Sequence, residues 1–180
     1  GLYLNPNADA FLRNTRTNIY VDKTLILDEL NKLFDSNDNF VCISRPRRFG
    51  KSMAGNMISA YYSKGCDTKE VFSKMKIGEV AGFEDNLNKF NVVKLDLNGL
   101  FQNAVDKDFL IEEINETVRE DFGTQFSEVS FKETDNIAKC IQKVYDRTGE
   151  KFVIIIDEYD VLVREKVSNT LFEKFLGFLN

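Results

Sequence analysis

A four-residue apolar run, Phe40-Val41-Cys42-Ile43, leads without a spacer into a basic loop that ends in Gly50-Lys51-Ser52. Beyond the loop, Met53, Ala54, Met57, Ile58 and Tyr61 fall on one side of a helical projection. A short β-branched run wants a buried parallel strand, and the three- and four-residue spacing after it wants a helix, so the predicted unit is strand, loop, helix. That order favours an α/β fold in which helices cover a parallel sheet and function gathers at the carboxyl ends of the strands.

The rest of the chain repeats the alternation. Leu27, Leu30, Leu33 and Phe34 predict a helix over 24–34, with Asp22 as a possible cap, and Gly65 is a plausible stop for the helix after the basic loop. Val92-Val93-Lys94-Leu95-Asp96-Leu97 reads as a second strand. Leu110, Ile114, Val118 and Phe122 mark one later helix, and Ile137, Ile141, Val144 and Tyr145 another, which Gly149 should end. The most apolar strand, Phe152-Val153-Ile154-Ile155-Ile156, should be buried on both faces and runs straight into Asp157-Glu158-Tyr159-Asp160. No repeat, low-complexity tract or proline-rich linker interrupts the pattern.

Composition narrows the chemistry. The 180 residues contain no histidine, which removes the usual general base, the Ser/His/Asp triad and the Cys/His pair. Cys42, Cys66 and Cys140 are far apart and form no Cys-x-x-Cys pair, so they read as free thiols in a reducing compartment. Neither a membrane-span run nor a signal pattern is present, and the chain is expected in the cytoplasm with no membrane partner. The net charge of −5 argues against general affinity for a nucleic acid backbone. Residues 45–51 are the exception, with Arg45, Arg47, Arg48 and Lys51 and no acid among them, which points to a small anionic ligand.

The spacing Arg45-x-x-x-x-Gly50-Lys51-Ser52 matches the Walker A loop except that arginine stands at the first glycine. In such a loop, backbone N–H groups wrap a phosphate, the glycine permits close approach, the lysine reaches the outer phosphates and the hydroxyl coordinates magnesium. A surface Arg/Gly loop could carry the same letters by chance, but the flanking strand and helix favour phosphate binding. Asp157-Glu158 at a strand tip resembles Walker B, the aspartate holding magnesium and the glutamate polarising an attacking water. Alone it would be a solvated strand end; downstream of a phosphate loop the two motifs build one magnesium site. Asn98 is either a turn residue beside Gly99 or a switch that restrains the glutamate. Arg47 and Arg48 contact phosphates or pair with acids such as Asp160 or Glu158, and Phe49 is expected to pack inward. Asn88-Lys89-Phe90-Asn91 does not complete a guanine signature, which leaves ATP as the expected nucleotide.

Tyr20-Val21-Asp22-Lys23-Thr24, Ile43 through Ser52, Val71-Phe72-Ser73-Lys74-Met75-Lys76-Ile77 and Ile156 through Asp160 together resemble the predicted AAA-ATPase-like family of bacterial proteins, over essentially the whole chain. Arginine at position 45 is that family's habit. The resemblance implies a P-loop NTPase of the additional-strand catalytic-glutamate type, with ATP and Mg2+ as ligands. Arg45, Pro46, Arg47, Arg48, Phe49, Gly50, Lys51 and Ser52 would bind the nucleotide, Ser52 and Asp157 the metal, and Glu158 with Lys51 would be catalytic. It also places Tyr20 to Thr24 near the nucleotide pocket, although helix capping is the more cautious reading. Family members commonly carry a PD-(D/E)xK nuclease-like region toward the C-terminus.

On this reading residues 1–180 are the N-terminal part of one domain, with a helical segment over 1–36 and an incomplete nucleotide-binding core over 37–180. The C-terminally truncated sheet should be disturbed or filled by a non-native dimer contact, a native homo-oligomer is also possible, and turnover of this stretch alone should be slow or nil. Nucleic acid is expected as a partner only through a missing C-terminal effector region. The leading function is an ATP-driven switch or motor for an effector such as a nuclease. A scaffold that binds ATP without turnover and a small-molecule phosphotransferase stand as alternatives.

Overall fold

The computed structural model describes every residue except Gly1, Asp35, Asp38, 45–49 and Asn180. The chain divides into two compact units, Asn5–Val92 and Gly1–Leu4 with Val93–Asn180.

The unit Asn5–Val92 is helical. It holds α1 (Asp9–Thr15), α2 (Ile26–Asn31), α3 (Lys51–Tyr62), α4 (Lys69–Ser73) and a 3-10 turn over Lys76–Glu79. The second half of α3 is buried all round, Met57 through Tyr62 being its buried run. Its core is aromatic: Phe11 stacks on Phe72 with centroids 5.0 Å apart, and Tyr61 meets Phe72 edge-on at 5.2 Å. Fully burying a side chain of this size contributes roughly 1.5–3 kcal/mol. The two tyrosine hydroxyls are also bonded, as buried polar groups must be. Tyr61 Oη donates to Phe83 O and accepts from Asn31 Nδ2 at 3.1 Å, while Tyr62 Oη donates to Asn31 Oδ1 at 2.9 Å.

Helix α3 ends at Tyr62, three residues before Gly65, through a tertiary cap. Asn88, at φ 55°, donates its side-chain amide to the carbonyls of Ala60 (3.0 Å), Tyr61 (3.2 Å) and Ser63 (3.0 Å). Its Oδ1 accepts from Thr68 N at 3.1 Å. The last carbonyls of a helix have no intrahelical partner, and Asn88 supplies one. The expected helix over 24–34 is shorter, α2 itself covering Ile26–Asn31, with Leu27 buried inside it. Asp22 does not cap it directly; it accepts from Thr24 N (2.8 Å) and Thr24 Oγ1 (2.6 Å), bracing the turn ahead of the helix.

The expected strand over 40–43 is not formed. Residues 39–44 have no regular structure, and Phe40 is 91 % exposed. Strand conformation in so short a run depends on ladder hydrogen bonds and burial, and Phe40, Val41 and Cys42 are all exposed.

The second unit is α/β. It contains β1 (Asn91–Asp96) from Val93 onward, α5 (Leu97–Asn103), α6 (Leu110–Gln125), α7 (Ile137–Thr148), β2 (Phe152–Asp157), α8 (Val161–Arg164) and α9 (Asn169–Leu179). β1 and β2 pair in a small parallel sheet. Leu4 bridges antiparallel to Val93, and Asp121 on α6 accepts the Tyr3 and Leu4 amides at 2.6 and 3.0 Å. Val93, Leu95, Ile114, Val118, Phe122, Cys140 and Val144 form one buried cluster with Leu171 and Phe175 of α9. The α6 stripe lies where its periodicity puts it; in α7 Ile137 and Val144 are buried with Cys140 while Tyr145 is exposed, and Gly149 ends α7 at φ 71°, a conformation that costs a non-glycine residue roughly 1–2 kcal/mol. β2 departs from expectation: it is half-buried along its length, and Ile154 is 52 % exposed. Among the described residues β1 is the one strand beside β2, so one edge of β2 lacks the cover a central strand would have.

Candidate functional site

In the unit Asn5–Val92, the candidate phosphate residues sit at the start of α3. Gly50 is left-handed at φ 76° and ψ 31°, and Ala54 N–H makes the first intrahelical bond back to Gly50 O at 2.9 Å. The amides of Lys51, Ser52 and Met53 therefore lie ahead of the ladder, and Gly50 has no side chain with which to cap them. Lys51 is half-buried and Ser52 exposed. Arg45, Pro46, Arg47, Arg48 and Phe49 lie outside the described residues, as do their expected contacts with phosphates or local acids.

One cation approaches this helix start from a segment far away in sequence. A Cβ built on Gly50 would lie 3.5 Å from Lys23 Nζ. Lys23 is held there by its neighbours. Asp22 Oδ2 accepts from Lys76 N at 2.8 Å, and Thr24, fully buried, accepts from Ile77 N at 3.1 Å through Oγ1. Burial alone would raise the Asp22 carboxyl, but the hydrogen bonds from Thr24 and Lys76 outweigh it and hold the group below the usual carboxylate range. The segments Tyr20 to Thr24 and Val71 to Ile77 are thus joined by a tie of side-chain to backbone bonds. It braces the turn before α2 and brings Lys23 beside Gly50.

In the other unit, the two strand ends carry the acids. β2 ends at Asp157, whose Oδ1 accepts from Glu158 N at 2.9 Å. Glu158 itself has φ 53°, a left-handed conformation uncommon for a residue with a side chain, and its carbonyl accepts from Val161 N at 3.0 Å to open α8. Val161 and Leu162 are buried, so the turn that carries the glutamate is anchored in the core. β1 ends at Asp96, which caps α5 by accepting from Asn98 N (3.1 Å) and Gly99 N (3.2 Å). Asn98, expected as a turn residue beside Gly99, instead lies in the first turn of α5.

Its side chain does something more. Asn98 Oδ1 accepts from Arg164 Nη2 at 2.9 Å, and Arg164 Nη1 donates to Glu158 Oε2 at 3.2 Å. Asp160 and Glu165 lie 3.6 Å from the same guanidinium. The Glu158 hydrogen bond first, then the Asp160 charge after burial has opposed it, raise the already high pKa of Arg164 and keep it charged. Mid-strand on β1, burial pushes the Lys94 ammonium below its ordinary value, and the charges of Asp157 and then Asp96 pull it the other way. Sequence reasoning missed both Arg164 and Lys94. The four-residue step from Asp160 to Arg164 was visible as a helical ion pair; the link to Asn98, 66 positions away, was not.

Among the described residues no cluster of three or more His, Cys, Asp or Glu side chains could hold a metal ion by itself, and no helix is long and apolar enough to cross a membrane. No curated protein and no solved structure matches the chain. The family described as predicted AAA-ATPase matches residues 11–180. The family suggests nucleotide binding or ATPase activity, and the match spans both the glycine at the head of α3 and the acids at the end of β2. The chain belongs to the AAA-ATPase-like family.

Proposed function

We propose that this chain is a P-loop module that binds ATP with magnesium and hydrolyses it, serving as a switch or motor for an effector such as a nuclease. The observation that carries the reading is the start of α3: a left-handed glycine followed by lysine and serine, with helix-start amides ahead of the ladder and the Lys23 ammonium beside the glycine. An anion suits that end of a helix, because the amides point outward and the helix dipole favours negative charge.

A serine hydroxyl and a carboxylate are ligand types that suit magnesium, which takes one or two protein oxygens together with substrate phosphates and rarely a full protein cage. Ser52 and Asp157 would hold it. When bound, it supplies charge neutralisation and Lewis-acid polarisation at the transferring phosphoryl group. Lys51 binds the outer phosphates, and Arg45, Pro46, Arg47, Arg48 and Phe49 complete the loop by sequence. Glu158 orients the attacking water and accepts its proton. Its Oε1 has no hydrogen-bond partner among the described residues and is available for that task.

One observation favours the scaffold that binds ATP without turnover: the other oxygen of Glu158 is already taken by Arg164. Calorimetric titration with ATP and magnesium tests the binding half, and phosphate release tests the catalytic half. Lys51→Ala is expected to abolish binding. Glu158→Gln should keep binding and lose on the order of a hundredfold or more in turnover. Equal turnover in Glu158→Gln and the parent would sink the hydrolytic reading, and unchanged binding in Lys51→Ala would sink the phosphate-loop reading.

A further inference from the structure

Glu158 is held by only one of its oxygens. Arg164 Nη1 donates to Oε2 at 3.2 Å, while Oε1 has no hydrogen-bond partner among the described residues. The guanidinium is fixed in turn from the end of β1, where Asn98 Oδ1 accepts from Nη2 at 2.9 Å. Its backbone is fixed as well, since Arg164 N donates to Asp160 O at 3.0 Å and α8 is rooted by the buried Val161 and Leu162. Both side chains are largely covered, Glu158 being 29 % and Arg164 27 % exposed.

We propose that Arg164 is the positioning residue of Glu158, spanning from Asn98 to fix one carboxylate oxygen so that the other faces the attacking water. The inference rests on Glu158 being the base of the proposed hydrolysis. Two features argue for orientation over masking. The arginine charge is divided among Glu158, Asp160 and Glu165, so it aims the glutamate without cancelling its charge. The planar fork bonds two different residues with two nitrogens, a geometry that a single ammonium cannot reproduce. The left-handed backbone at Glu158 adds to the need for a brace, because it is a conformation the surrounding structure must impose.

The experiment compares the parent chain with Arg164→Met, Arg164→Lys, Glu158→Gln and the Arg164→Met/Glu158→Gln double variant. ATP turnover is measured together with affinity for a non-hydrolysable ATP analogue by calorimetry. Arg164→Met is expected to lower kcat by about tenfold to a hundredfold, the scale of a misplaced catalytic group, with analogue affinity and KM within about twofold of the parent. Arg164→Lys should recover only part of the loss, and Arg164→Met should add nothing to Glu158→Gln, since residues acting as a unit are not additive. Arg164→Met turning over at or above the parent rate, while Glu158→Gln is slow, overturns the positioning role and leaves the proposed function standing. Equal losses in affinity and kcat, or a further loss in the double variant, overturn it also. A Glu158→Gln variant as fast as the parent overturns the hydrolytic reading itself; turnover is followed by single-turnover phosphate release, because residues 1–180 alone are expected to be slow and the ratio between variants is what decides.

Discussion

Replacing Asn88 removes a cap that several carbonyls share, and the loss can be worked bond by bond. Its two amide protons serve Ala60, Tyr61 and Ser63 O, so they count as two bonds, and Thr68 N–H to Oδ1 is a third. The Thr68 hydroxyl reaches both Ala60 O at 2.9 Å and Asn88 Oδ1 at 3.1 Å, but it has one proton and survives the substitution through Ala60. Three bonds at about 1 kcal/mol each, discounted because Asn88 is half-buried and water can replace part of them, come to about 2 kcal/mol. Alanine must also adopt the left-handed backbone, which adds roughly 1–2 kcal/mol. Asn88→Ala should therefore lose about 3–4 kcal/mol, a large share of the roughly 5–15 kcal/mol that holds a domain folded. Asn88→Gly keeps the backbone conformation and should lose about 0.5–1 kcal/mol less than alanine, after the entropy that glycine adds to the unfolded chain. Urea unfolding followed by circular dichroism and tyrosine fluorescence measures both, the chain having no tryptophan. An alanine variant within about 1 kcal/mol of the parent, or a glycine variant less stable than the alanine one, would refute the capping argument.

Two further outcomes follow from titratable groups. The Asp22 carboxyl titrates lower in the folded chain than in the unfolded one, so its contribution is complete above the unfolded value near pH 4 and disappears as pH falls through the folded value. The stability gap between the parent and Asp22→Asn should be wider at pH 7 than at pH 3, and an unchanged gap in urea midpoints would contradict the assignment. Cys140 is pushed up to about 11 by burial and then by the charge of Asp135, so at pH 8 only about one thiol in a thousand is thiolate. Iodoacetamide should label the exposed Cys42 and spare Cys140 until denaturant is added, and mass spectrometry showing equal early labelling would rule this out.

Local pattern made the α6 stripe, most of the α7 stripe, the β1 run and the Gly149 stop readable in the sequence, because each depends on residues that are adjacent or within about five positions of one another. The run over 40–43 was misleading for the opposite reason: apolar, β-branched residues are necessary for a buried strand, but the ladder that makes one is tertiary. The same holds for β2, whose composition asked for cover on both faces and in which Ile154 is half-exposed beside the one neighbouring strand among the described residues. At the candidate site, Lys51, Ser52, Asp157 and Glu158 could be named from spacing and flanking pattern. Arg164 could not be connected to Asn98, nor Lys23 to Gly50, since neither pair has a sequence period. Asn88 drew attention only as part of a guanine motif it fails to complete, whereas its place in the fold is to close a helix.

The tie between Asp22 and Thr24 on one side and residues 76 and 77 on the other is unequal in what it asks of the sequence. One side gives a carboxylate and a hydroxyl, which only particular amino acids possess; the other gives two main-chain amides, which nineteen of the twenty possess. In a saturation mutagenesis library the first pair should therefore accept few replacements. At Lys76 and Ile77 this bond would exclude proline alone, and any stricter preference there must have another origin, as the complete burial of Ile77 supplies for that position.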